Sequence, residues 1–220
     1  MKNILSFLSA LQENNNKEWM DENRPEYQAA RKIFISFVTE LIQKTAAFDP
    51  TITGLLAKDC IFRINRDIRF SNDKRPYKTN MGAFIASGGK KTKGAGYYVH
   101  IQPGNCFIGG GIYMPAAPEL AKIRQEIDYN APSLIEVLSE EKFKNTFDEM
   151  DGDRLKTAPK GYPKDHPHIE LLRLKSFTVF TKVPESEVTE DAFLNNVAAK
   201  FQVMYPFNNF LNTAVAEVEE

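Results

Sequence analysis

Strand patterns crowd the middle of this chain and helical periodicity occupies both ends, a segregation that leaves few folds open. Residues 60–70 alternate strictly, 81–86 form a short apolar run, and 96–102 with 106–112 flank Pro103-Gly104-Asn105, a hairpin-turn tripeptide. One more strand is expected at 176–183. Before them, apolar spacing predicts helices over 3–12, a short turn at 17–23, and a long helix from Pro25 to Phe48. After them it predicts helices near 116–128, 131–139, 140–148, 168–174 and 189–215, with an irregular Gly- and Pro-marked stretch at 151–167. The expected class is α+β. A single domain over 1–220 would have a helical segment 1–50, a strand-rich centre 60–113 and a helical, irregular part 115–220. Its central sheet would be largely antiparallel, packed by helices from both terminal segments.

Composition narrows the class. With 16 Phe, 8 Tyr and a formal charge of −1, the chain has ample area to bury and little self-repulsion, which excludes disorder. No apolar run approaches the roughly 18 residues a membrane span needs. The first helix places Ile4, Phe7, Leu8 and Leu11 on one face, broken by Ser6 and Ser9, unlike a secretory signal. Cys60 and Cys106 form no Cys-x-x-Cys pair, so the expected location is cytoplasmic with inert thiols and no membrane partner.

The near-zero total conceals a strongly uneven distribution. Residues 59–93 hold nine basic and three acidic side chains, and 156–182 hold six and two, while 94–155 and 183–220 are acidic. Such a chain can present a basic face without a basic isoelectric point. From Arg63 to Lys78 there are six cations and two carboxylates in 16 residues. If 61–70 is a strand, one face reads Ile61, Arg63, Asn65, Asp67, Arg69, and the other, expected to be core, reads Phe62, Ile64, Arg66, Ile68, Phe70. A solvated charge run is the ordinary reading of such density. Against it, arginines interleaved with Asp67 and Asp73 suit planar recognition of carboxylate or phosphate. Arg66, leaving an apolar face, is expected to make an ion pair with Asp67, Asp73 or a distant Glu.

The run Arg63-x-x-Arg66-Asp67-x-Arg69-Phe70-x-x-Asp73-Lys74-x-x-Tyr77 resembles the signature of a scattered bacterial family catalogued as domain of unknown function 2461. Asn14-Asn15, Trp19, Pro76-Tyr77-Lys78, Gly96-Tyr97-Tyr98, Gly109-Gly110-Gly111, Leu155-Lys156 and Pro159-Lys160-Gly161 resemble its pattern too. The resemblance implies a cytosolic single-domain protein and names no activity.

Other residues bear on the chemistry. Tyr98, His100 and Gln102 share one face of their strand, which makes His100 an acid/base candidate or simply a structural histidine. Gly109 to Gly111 read as a bulge or as backbone approaching a ligand; no Walker or Rossmann loop is present. Asp165-His166-Pro167-His168 is a poor metal set, and no metal or cofactor is named by the residues. Trp19 is expected in the core.

The leading expectation is binding of a phosphorylated or polyanionic small molecule by Arg63, Arg66, Arg69, Asp73, Lys74, Tyr77 and Lys78, joined by Lys160 if the second basic segment folds toward them. Asp67, Tyr77 and His100 are the proton-transfer candidates if there is chemistry; whether the chain is an enzyme stays open. Single-stranded nucleic-acid binding, with the Lys90-Lys91-x-Lys93 loop reaching a backbone, is one alternative. The other is an architectural ion-pair network in an interaction module.

Overall fold

The computed structural model describes residues 1–148, 150 and 152–216. Helices α1 (Lys2–Glu13), α2 (Lys17–Glu22) and α3 (Arg24–Ala46) lead into a short α4 (Ala57–Cys60). Strands β1 (Met81–Ile85), β2 (Gly96–Ile101) and β3 (Phe107–Ile112) follow, then α5 (Ala117–Ser139), α6 (Glu141–Thr146) and α7 (Ile169–Leu172). Strand β4 (Phe177–Lys182), a short α8 (Glu185–Val188) and the long α9 (Phe193–Val215) complete the chain. The strands pair antiparallel in the order β1-β2-β3-β4, so the α+β class and antiparallel sheet stand. No helix of the described residues is long and apolar enough to cross a membrane.

Local chemistry explains the boundaries. Asn16 caps α2 by accepting from the Trp19 amide at 2.9 Å, and Pro25 sits in the first turn of α3, where its missing N–H costs nothing. The two helices expected at 116–128 and 131–139 are one element broken at Asn130, two residues before Pro132. At the β2–β3 turn, Gly104 takes a positive φ of 76°, a conformation that favours glycine.

One face of the sheet belongs to the core. Ala83, Ile85, Tyr97, Val99, Ile108, Phe177 and Val179 are buried there, against α3 and α9. Tyr97 lies 4.9 Å from the Phe201 ring, and its hydroxyl, carried into the core, is paired by donating to Asp49 Oδ2 at 2.9 Å. Trp19 packs on Phe7 at 5.9 Å, in the role expected of it. The glycine run in β3 is no bulge: each residue pairs with both neighbouring strands without a skip. A Cβ at Gly110 would strike Met204 Sδ of α9 and the Gly96 carbonyl, so the glycine is what lets helix and sheet approach.

The strand expected over 60–70 does not form. The chain leaves α4 and runs out and back as an irregular arm over 61–80, tied by single bridges at Ile61↔Ala83 and Asn65↔Tyr77. Two features stop a ladder. Pro76 has no N–H to offer, although its carbonyl still accepts from Arg66 at 2.9 Å. Asp67 and Asp73 turn their carboxylates onto the amides of Arg69 and Arg75, at 3.3 and 3.0 Å, the local side-chain bonding that competes with strand pairing. The expected core face is overturned with it: Ile64 is buried, but Phe62 is exposed and Phe70 stands 95% exposed at the tip.

Gly110→Ala should destabilise the fold by about 1–3 kcal/mol, the usual cost of overpacking where backbone blocks relaxation. Urea unfolding measures it; a midpoint equal to that of the wild type would show that α9 does not depend on this contact.

Candidate functional site

The arm sorts its charges into pairs. Arg69 grips Asp67 with Nε and Nη2 at 2.9 and 2.6 Å, and Arg75 grips Asp73 likewise at 3.0 and 2.7 Å. Arg66 also reaches Asp73 at 2.7 Å and donates to the Arg75 carbonyl at 3.0 Å, the ion pair expected of it. Lys74 donates to the Ile68 carbonyl at 3.1 Å. The guanidinium of Arg69 holds the Asp67 carboxyl below its ordinary range, and Arg75, then Arg66, hold Asp73 well below it. At the base, Asn15 clamps the backbone of Tyr77, donating to its carbonyl at 3.0 Å and accepting from its amide at 3.1 Å. The Tyr77 ring is buried.

The outward face of the sheet carries a different surface. Tyr98, His100, Phe107 and Phe180 stand on it, with Gly109 opposite Tyr98 and Phe180 in the register. Their rings touch in a row: Phe62 against Tyr98 at 6.2 Å, His100 stacked on Phe107 at 4.5 Å, Phe107 edge-on to Phe180 at 6.3 Å. The Tyr98 hydroxyl donates to His100 Nδ1 at 2.9 Å, and Nε2 faces Gln102 Oε1 at 2.9 Å, which suits the Nε2–H tautomer. Burial holds the imidazole below its ordinary value and pushes the Tyr98 phenol up to about 12. This face floors a cleft of about 770 Å³, walled by Phe62 and Lys78 of the arm, by Lys90 and Thr92 to Gly94, and by Tyr113 to Ala116.

A second cleft of about 610 Å³ adjoins it, and the two share Phe62, Lys78, Asn80 and Lys90. Six cations line the second: Arg31, Lys58, Arg63, Lys78, Lys90 and Lys91. No carboxylate among the described residues lines it. Lys78 stands at the junction, its ammonium 5.4 Å from the Phe62 ring centroid, its pKa lowered by burial and by the Arg63 charge beside it. Lys90 anchors its loop by donating to the Lys58 and Asp59 carbonyls at 3.2 and 3.1 Å.

Of the residues the sequence nominated, Arg63, Lys78 and His100 meet at these clefts. Arg66, Arg69, Asp73, Lys74, Tyr77 and Asp67 line neither, being engaged in the arm or the core. Lys160 lines neither as well. Its segment packs elsewhere: Arg124 of α5 donates to the Leu172 carbonyl at 2.8 Å, and His166 Nε2 faces Asp128 at 2.9 Å. Sequence reasoning passed over Arg31, Lys58 and the outward phenylalanines. The phenylalanines did leave a signal, since Phe107 and Phe180 fall on the opposite parity to the buried Ile108 and Val179. Arg31 and Lys58 left none.

The family described as "Conserved hypothetical protein (DUF2461)" matches residues 3–210 of the chain. No curated protein matches, and no solved structure does.

Because the folded imidazole of His100 binds its proton more weakly than an ordinary one, its contribution to stability is complete above about pH 6.5 and is lost as pH falls toward its lowered pKa. Urea midpoints of the wild type should therefore fall more steeply as pH drops below about 6.5 than those of His100→Gln, which cannot titrate there. Parallel curves would show that His100 is not held neutral.

Proposed function

The chain belongs to that conserved hypothetical family, whose description carries no reaction, and from the geometry we propose that it binds a phosphorylated or polyanionic small molecule in the cationic cleft. The observation that supports this reading is the row of six cations with no lining carboxylate among the described residues, adjoining a larger cleft. Like charges held along one wall repel one another, and an anion lying between them reverses that cost. Elsewhere on the arm each arginine already has its carboxylate, so the motif divides its work. Arg66, Asp73 and Arg75 hold the shape of the arm. Arg63 and Lys78 face the ligand, with Arg31, Lys58, Lys90 and Lys91 around it. His100 is the candidate for proton transfer that lines a cleft, and with both ring nitrogens bonded its role here is to order the floor.

Single-stranded nucleic-acid binding is a second reading, favoured by the ring row on the outward sheet face. It would thread the same cationic wall and predicts a steep loss of affinity with salt.

Thermal shift with inorganic pyrophosphate tests the main reading. The wild type and Arg69→Ala should be stabilised alike, by several degrees at saturating ligand, while the double variant Arg63→Ala/Lys78→Ala should lose most of that shift. Absence of any stabilisation, or equal loss in Arg69→Ala, would sink it.

A further inference from the structure

Two clefts of opposite character meet at four shared residues, Phe62, Lys78, Asn80 and Lys90, so one ligand can occupy both. A simple phosphosugar would use the cationic cleft and leave the larger one without a partner. We infer that the ligand is a nucleoside phosphate, its phosphate among the cations and its base against the rings and bare backbone of the outward sheet face. This rests on the anion-binding reading and adds the class of group that the phosphate carries.

Three observations lead to a planar ring rather than an acyl chain or a bare sugar. The floor has a bare stretch: Gly109, on the outward parity opposite Tyr98 and Phe180, lines the cleft and puts no side chain above the strands. The walls are flat, since Phe62 and Phe180 border that floor with 37% of their surface still exposed, and aromatic faces left part-wet are what a stacked base covers. Phe62 already carries the Lys78 ammonium over its face, which places stacking surface and phosphate-binding charge on one side chain pair.

The polar groups along this cleft suit the edge of a heterocycle. Thr178 lies on the outward face with its hydroxyl in no hydrogen bond among the described residues. At the far rim, Glu119 has a side chain only 9% exposed; Lys93 takes Oε1 at 2.9 Å, and Oε2 has no hydrogen-bond partner among the described residues. A buried carboxylate oxygen without a donor is costly, and an N–H of a base edge is the kind of donor that would satisfy it. Met114 at the same rim holds a positive φ of 46°, fixed by its amide donating to Ser176 Oγ at 2.9 Å. Backbone held in that region keeps the Tyr113-Met114 rim in place beside the floor.

Calorimetry on the full chain with four probes decides it: inorganic pyrophosphate, ribose 5-phosphate, a nucleoside 5′-monophosphate series, and a ten-residue single-stranded oligonucleotide. Nucleotides should bind at least about tenfold tighter than ribose 5-phosphate, which has the same charge and no base. Phe180→Ala, on a part-exposed ring of an edge strand, should erase most of that difference and leave pyrophosphate affinity in place, which also certifies its fold. Glu119→Gln should change the ranking among bases. Equal affinity for ribose 5-phosphate and nucleotides would overturn the base pocket while leaving the anion reading intact. If pyrophosphate fails as well, the anion reading falls and this inference with it. An oligonucleotide binding more than tenfold tighter than any mononucleotide, with a steep salt slope, would overturn the small-molecule form and favour a polymer.

Discussion

Helix α9 lies on the sheet at a distance that only glycine permits, and the two-faced character of the molecule depends on that contact. Gly110 admits Met204 of α9 against the backbone of β3, and Tyr97 fills the space beside it under Phe201. With α3 and α9 both committed to this side, Ala83, Ile85, Tyr97, Val99, Ile108 and Val179 are sealed. The outward residues are left to find cover from irregular chain, namely the 61–80 arm, the Lys90–Gly94 loop and the Tyr113–Ala116 turn. Irregular cover does not close over a sheet as a helix does. The gap that remains is the ring-lined cleft, and its aromatic floor follows from strand parity rather than from any separate device.

The basic segment illustrates how the same residue types can be spent in two ways. At the tip of the arm, Asp67 and Asp73 each take a guanidinium and a backbone amide two residues on, a closed local arrangement. These pairs are exposed and so contribute little to stability; what they settle is the path of the backbone. At the base of the arm the anchoring is of another kind. Asn15 offers Tyr77 both an acceptor and a donor, copying a strand partner, and so ties the arm to the start of the chain near α2. Just past that anchor, on the side away from the tip, lie Arg63 and Lys78, cations without a carboxylate on their cleft wall among the described residues.

Much of this was legible from residue patterns, and the failures have physical causes. Alternation placed Tyr98, His100 and Gln102 together because β2 is central, with partners on both sides enforcing extended backbone. The same alternation over 61–70 misled, because no regular ladder enforces extension there and two Asx turns took the amides instead. Pattern reasoning saw that Asp67 and Asp73 orient arginines, and it named Asp73 among the partners for Arg66. It could not see that Arg31 of α3 and Lys58 of α4 share a wall with Arg63, since that proximity is tertiary and neither residue stands out along the sequence. Charge counting by segment located Lys90 and Lys91, but not the cleft they face.

The junction between the two clefts is where charge and aromatic surface meet. Lys78 is partly desolvated, lies over the Phe62 ring, and has Arg63 close enough to lower its pKa further. A lysine in that position is held at a cost, since burial and a like charge both disfavour its ammonium form. Any anion that settles beside it removes part of that cost, so binding and protonation at Lys78 favour one another. The aromatic face beneath the ammonium limits the water that can screen it, which strengthens the same coupling. An anion with a flat apolar body therefore gains twice at this one residue, from the charge on one side and the ring on the other.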